Sequence, residues 1–216
     1  GYNLVEGWIF GSNLERHITG GIVHPSSVTI GAKYTVKIQS IQDFGLVVLI
    51  GDKVRAVCPV LHTTEAPMSG NGVTQLHKKF KVGQKINVRV WELKGSQVLV
   101  THKKSLVDAV MSEDANGTFY SYDEVRRGAA CTGVVSRVDD NNGIIVHFYN
   151  RVRALIPIKV LMSQGVNNPS ESFRIGQILK CYIIRKRNKS SGKHRSTHLI
   201  AAMAVGNRDT ILGLAN

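Results

Sequence analysis

The sequence is poor in acid. Its 216 residues hold 15 Asp and Glu against 28 Lys and Arg, a formal net charge of +13 and a sequence pI of about 9.9. Such a surplus repels itself unless an anion binds it. Nucleic acid is the first candidate and an anionic membrane surface the second. Cysteine is scarce as well. Cys58, Cys131 and Cys181 are odd in number and far apart, which argues against a disulfide framework. All three sit in apolar, strand-like segments and read as small buried hydrophobes of a reducing compartment. No apolar run approaches the length of a bilayer-spanning helix. The opening stretch GYNLVEGWIFGSNLERH carries Glu6 and Glu15 and no long apolar core, so it does not read as a signal peptide. The first residue is Gly, and the expectation is a piece cut from a longer chain.

Catalytic and metal patterns are also missing. Cys58 and His62 have the spacing of half a zinc site, but no second Cys/His pair follows. SSGKHRS lacks the upstream Gly of a phosphate loop and the Ser/Thr after Lys193. Asp139-Asp140 before Asn141-Asn142-Gly143 is hairpin-turn chemistry rather than a carboxylate pair. No Ser/His/Asp or Cys/His set has a supporting context. The expectation is a chain with no enzymatic activity, no cofactor and no metal.

What is present is a repeat. Hydrophobic residues make up 43% and charged residues 20%, the mix of a globular chain. VRAVCPV (Val54–Val60) matches VRALIPI (Val152–Ile158), and FKVGQKINVRV (Phe80–Val90) matches FRIGQILKCYI (Phe173–Ile183). Upstream, GAKYTVKIQSI (Gly31–Ile41) matches GAACTGVVSRV (Gly128–Val138). Three blocks recurring in one order mean two copies of one unit.

Each unit reads as short strands. YTVKIQSI alternates, with Val36 and Ile38 on one face. GLVVLIG is a β-branched run ended by the turn Gly51-Asp52. VRAVCPV is a third strand. QKINVRVWEL alternates again, with Ile86, Val88 and Val90 inward and Lys85, Asn87 and Arg89 outward. QVLVTHKK is the fifth strand, after a turn at Lys94-Gly95-Ser96. The stretch between the third and fourth strands is a loop with one helical turn. Five short strands with the long connection after the third describe the OB-fold, a small Greek-key barrel. The fold class is therefore all-β, two tandem five-stranded OB-fold barrels joined by a short, partly helical linker. The expected boundaries are 1–27 as a linker from a preceding repeat, 28–105 as a barrel and 106–122 as a linker. A second barrel follows at 123–205, with a C-terminal tail at 206–216. The first barrel span holds 12 Lys/Arg against 4 Asp/Glu and the second 14 against 5, so the positive surplus lies in the barrels.

With the strands placed, the pattern resembles the S1 domain, an RNA-binding OB-fold. DFGLVVLI, VRAVCPV, VGQKINVRVWEL and VLVTHKK fit its signature in the first unit, and NGIIVHF, VRALIPI, IGQILKCYI and LIAAMAV fit it in the second. The phrases AVCPVLHTTEA, VTHKKSLV and VHFYNRVRALIP are similar to repeats of the ribosomal RNA processing protein 5 family, long nucleolar proteins built of many S1 repeats. The resemblance implies a nuclear, nucleolar role in pre-ribosomal RNA processing and ribosome assembly, with no catalysis. It implies single-stranded pre-ribosomal RNA and ribosome assembly factors as partners, and no membrane. The chain departs from the RNA-binding pattern at five of six positions. Pro59 and Pro157 stand where the third strand usually carries His. Asn142, Val47 and Ile145 stand at aromatic positions, and Phe44 alone is kept.

Candidate RNA contacts are therefore mainly cations, which neutralise phosphates and release counterions. Arg55, Arg151 and Arg153 lie beside the third strands. Lys78, Lys79 and Lys81 precede the fourth strand, and Lys103-Lys104 follow the fifth. Arg137 ends the first strand of the second unit. RKRNKSSGKHR contributes Arg185, Lys186, Arg187, Lys189, Lys193 and Arg195 from one hairpin. Phe44 either stacks on a base or caps the barrel end. His62 either touches phosphate or holds its loop by a local hydrogen bond. His147 adds to the basic face, and Tyr149 is packing or stacking. Two other readings stay open: a protein-docking or spacer module, and an S1 appendage of a ribonuclease or translation factor.

Overall fold

A computed structural model describes residues 25–51, 53–67, 72–109, 119–191, 194–206 and 208–213. It contains two closed five-stranded barrels. The first is built from β1 (Lys33–Gln42), β2 (Gly45–Ile50), β3 (Val54–Pro59), β4 (Lys85–Lys94) and β5 (Gln97–Thr101). The second is built from β6 (Ala130–Asp139), β7 (Gly143–His147), β8 (Arg153–Pro157), β9 (Ile178–Ser191) and β10 (His194–Met203). Around each barrel the order is first, second, third, fifth, fourth, and the third and fifth strands run parallel. That is the tandem OB-fold expected from the repeat. Closure pairs the strand edges within each barrel.

The inward alternation holds. Val36, Ile38, Ile86, Val88 and Val90 are buried with Leu46, Val48, Ala56 and Val100 in the first core. Val135, Ile144, Val146, Ala154, Ile156, Cys181 and Ile183 fill the second. Matching bulges at Ile38/Ser40 in β1 and Val135/Arg137 in β6 bend the first strand of each barrel. Cys58, Cys131 and Cys181 are free and buried, and burial pushes the Cys58 thiol up to about 12.

The recurrent Gly and Pro of the repeat face each other. Gly45 pairs with Pro59 and Gly143 with Pro157 across the second and third strands. Both glycines have positive φ, 141° and 109°. A Cβ on Gly45 would stand 2.1 Å from the Cys58 carbonyl oxygen, and one on Gly143 would stand 2.1 Å from that of Ile156. The close approach demands glycine. The proline ends the strand where the chain turns into a short helix, Val60–His62 in one barrel and Ile158–Ser163 in the other.

Two local expectations need correction. The connection between β3 and β4 contains a helix of eight residues, Gly72–Lys79, rather than one turn. Arg89 does point out of its own barrel but does not reach water: it is 4% exposed. Its guanidinium donates to the carbonyls of Gly31, Leu106 and Ala109 at 2.7–2.9 Å.

The second barrel covers it. Trp91, two residues on along β4, is 5% exposed and packs against Tyr149 with ring centroids 4.5 Å apart and planes tilted by 43°. Leu106, Val134, Tyr149 and Trp91 form one dry cluster, with Ile30, Tyr120 and Ile178 packed around it. The Tyr149 hydroxyl donates to the Leu106 carbonyl at 3.0 Å, Asn150 donates to the Tyr120 carbonyl at 2.9 Å, and Arg151 pairs with Glu92. Asn150 and Arg151 hold φ of 49° and 63°, uncommon for residues with a Cβ. The corner that makes these contacts is thus held in a strained form, and the barrels are joined by a built interface rather than by the linker alone.

Candidate nucleic-acid interface

The joint decides which candidates remain at the surface. His62 is buried in it, its ring 4.5 Å from that of Trp91. Burial, with Lys103 and His147 adding like charge, holds its pKa down at about 3, so the ring is neutral. Its Nδ1 is buried without a hydrogen-bond partner. The His62 ring packs against Trp91, and the His62 carbonyl accepts from Cys58 Sγ at 3.3 Å and from the His102 backbone at 2.9 Å, local hydrogen bonds that hold the loop. Lys103 is 1% exposed, and its ammonium donates to the carbonyls of Thr64 and Glu65. It pins the loop after β3 and presents nothing to a phosphate. Burial lowers it to about 8, with Glu65 opposing. Tyr149 is packing, and burial pushes its phenol up. His147 is half-buried at the same joint, and burial followed by Arg153 lowers it.

The other candidates separate into three places. Phe44 stands 57% exposed in the turn between β1 and β2. Its carbonyl accepts from Val60 at 3.1 Å, which ties the turn to the end of β3. Arg55 is exposed on β3. Lys78 and Lys79 are exposed in the last turn of the helix Gly72–Lys79, where they also complement its dipole, and Lys81 is exposed just beyond. Lys104 is exposed at the start of the helix Lys104–Val107.

On the second barrel, Arg137 and Arg153 are exposed; Arg137 lies 3.5 Å from Asp139. Arg151 is also exposed, but its charge is engaged by Glu92. A row crosses the outer face of this barrel. Arg137 pairs with Ile145, Ile145 with Leu155, Leu155 with Ile200, and Ile200 with Arg185. The row is aliphatic in the middle and basic at both ends. Its counterpart on the first barrel runs Ser40, Val47, Val57, Leu99, Glu92.

The third place is the hairpin of β9 and β10. These strands run past the barrel, with Arg187 opposite His198, Lys189 opposite Ser196 and Arg195 opposite Ser190. Arg185 and Lys186 are half-buried at its base. The side chains of Arg187, Lys189 and Arg195 lie outside the described part, and Lys193 lies outside the described residues. Among the described residues no His/Cys/Asp/Glu group could hold a metal ion. Asp139 accepts from the backbone of Asn141 and Asn142 and from the Asn142 amide, which holds its carboxyl below the usual range and marks it as turn structure.

Sequence reasoning missed the joint. Trp91 and Arg89 sit at outward positions of a strand, a signal for surface but not for what covers it.

Two closed five-stranded barrels with most of their cations outside have the architecture of tandem OB-folds. Residues 124–192 match the S1 RNA binding domain. Over 183 residues the chain is 29% identical to the rRNA biogenesis protein RRP5 of Arabidopsis thaliana, covering 85% of this chain and 9% of that protein. It is 28% identical over 159 residues to the RRP5 homolog of Mus musculus, covering 73% and 8%. The rrp5 protein of Schizosaccharomyces pombe is 28% identical over 142 residues, 65% and 8%. The chain is similar in sequence to these RRP5 proteins, and it spans less than a tenth of their length.

Proposed function

We propose that this chain is a non-catalytic, RNA-binding part of a nuclear, nucleolar ribosome biogenesis factor, contacting single-stranded pre-ribosomal RNA through basic surfaces. The repeats are taken as 28–105 and 123–205, with 1–27, 106–122 and 206–216 flanking them. The observation that carries this reading is the S1 RNA-binding match over 124–192, the barrel that also bears the basic hairpin. The working contacts are Phe44, Arg55, Lys78, Lys79 and Lys104 on the first barrel. Arg137, Arg153 and the cations of Arg185–Arg195 serve on the second. His62 and Lys103 are not among them, because the fold has used both internally. Phosphate contacts set affinity here. One exposed aromatic adds stacking, worth about 1–3 kcal/mol. Ribosome assembly proteins are the second class of partner. The aliphatic row Ile145, Leu155, Ile200 favours that additional role, since it offers no ring for a base.

The test is a salt titration of the whole chain against a fluorescent single-stranded RNA of about 20 nucleotides. Log affinity should fall steeply and linearly with log salt, with a shallower slope once Lys78 and Lys79 become Glu. Absence of binding at low salt would remove the RNA reading.

A further inference from the structure

The joint between the barrels has a counterpart on the other side of the first barrel. In the repeat, Gly83 corresponds to Gly176, Lys37 to Val134 and Lys85 to Ile178. On the second barrel this place is partly covered from within the chain, by Leu61, which is itself 43% exposed. Leu61 of the first barrel lies over Gly176, its Cδ2 3.2 Å from where a Cβ would stand, and Val134 and Ile178 pack in the cluster around Trp91. On the first barrel the same place is a groove of about 270 Å³, lined by Lys37, Ile38, Gln39, Leu49, Val82 and Gly83. The Lys37 stem runs beside Gly83, its Cε 3.6 Å from the ideal Cβ position. Val82 on the rim is 64% exposed. Lys37 and Lys85 are cross-strand partners, both exposed.

We propose that this groove docks a protein segment presenting one aliphatic side chain flanked by carboxylates. The shape is that of the joint, an aliphatic knob seated over a glycine. The charge is different. Where the second barrel offers Val134 and Ile178, the first offers two ammoniums, so the knob it accepts must bring acid. The lining holds no ring, which leaves a nucleobase nothing to stack on. A second copy of this chain is a poor donor: at the position of Leu61 its second barrel carries the exposed Lys159, which would meet Lys37 and Lys85. This site goes beyond the RNA reading and shares no residue with it, so either can fail alone.

The probe is a 12-residue peptide of Gly and Ser with one central Leu between pairs of Glu, titrated into methyl-labelled full chain and followed by NMR. Saturable shifts are expected at the methyls of Leu49 and Val82, and none at Ile144 or Val146 in the other barrel. A peptide with Lys in place of Glu should bind at least about tenfold more weakly, and so should the Lys37→Glu/Lys85→Glu chain with the Glu peptide. Val82→Ser, at an exposed position, should weaken binding without unfolding the barrel. The proposal is overturned if those methyls do not shift saturably, or if the Lys peptide binds equally well. It is also overturned if a uridine 12-mer shifts the same methyls and displaces the peptide, or if the chain fills the groove by associating with itself.

Discussion

The two barrels share an interior and differ outside. Val88 and Cys181 hold equivalent core places, and Gly45-Pro59 and Gly143-Pro157 make the same close crossing. Outward, the first barrel shows Phe44 and a lysine-rimmed groove, and offers Leu61, Trp91 and Leu106 to its neighbour. The second shows Asn142 in place of Phe44, replaces the lysines by Val134 and Ile178, and extends a basic hairpin. One fold thus carries two surface programmes. The interior answers to packing and varies little in kind, while the outer positions decide whether a barrel binds its twin, an anion or a third party.

The largest effect is expected at the joint, where the barrels stop being alike. Trp91→Ala removes a buried indole and should cost about 3–5 kcal/mol. In calorimetry the intact chain should melt in one coupled transition, and the variant in two. Two transitions in the unmodified chain would mean the barrels are thermally independent. Acid is the next lever. The His62 pKa is held at about 3 in the fold against 6.5 when free. Between these values the unfolded chain takes up a proton that the folded chain refuses, so stability falls as pH drops through that window. The loss should reach about 3 kcal/mol by pH 4 and be flattened by His62→Phe, as read from urea midpoints. The glycine crossing should behave alike in both barrels: Gly45→Ala and Gly143→Ala should each cost roughly 2 kcal/mol or more, since each forces a Cβ onto a carbonyl at positive φ. The smallest effect belongs to Phe44→Ala, with about 1 kcal/mol lost from RNA binding and no change in melting temperature. Asn142→Phe should return a similar gain on the second barrel.

The barrels themselves were legible in the sequence. Alternation at Val36/Ile38 and Ile86/Val88/Val90, and the Gly51-Asp52 and Lys94-Gly95-Ser96 turns, locate strands because burial within one barrel has a period of two residues. The joint was not legible. Arg89 and Trp91 occupy outward positions, and nothing local says that a corner at Tyr149 will cover them. For the same reason charge misled at Lys103 and His62. Lys103 ends up bound to carbonyls at Thr64 and Glu65, 39 and 38 residues away, and His62 ends up buried against Trp91, 29 positions along the chain. The exposure of Phe44 is likewise a property of the fold rather than of the phrase DFG.

The most direct test of the account is a map of amide shifts when a single-stranded RNA of about 20 nucleotides is added to the whole chain at moderate salt. The account predicts shifts along the helix Gly72–Lys79, at Phe44 and along the hairpin from Arg185 to His198, with His62, Trp91 and Lys103 unmoved. Shifts centred on the joint, or an RNA-bound chain whose hairpin and helix do not respond, would contradict it.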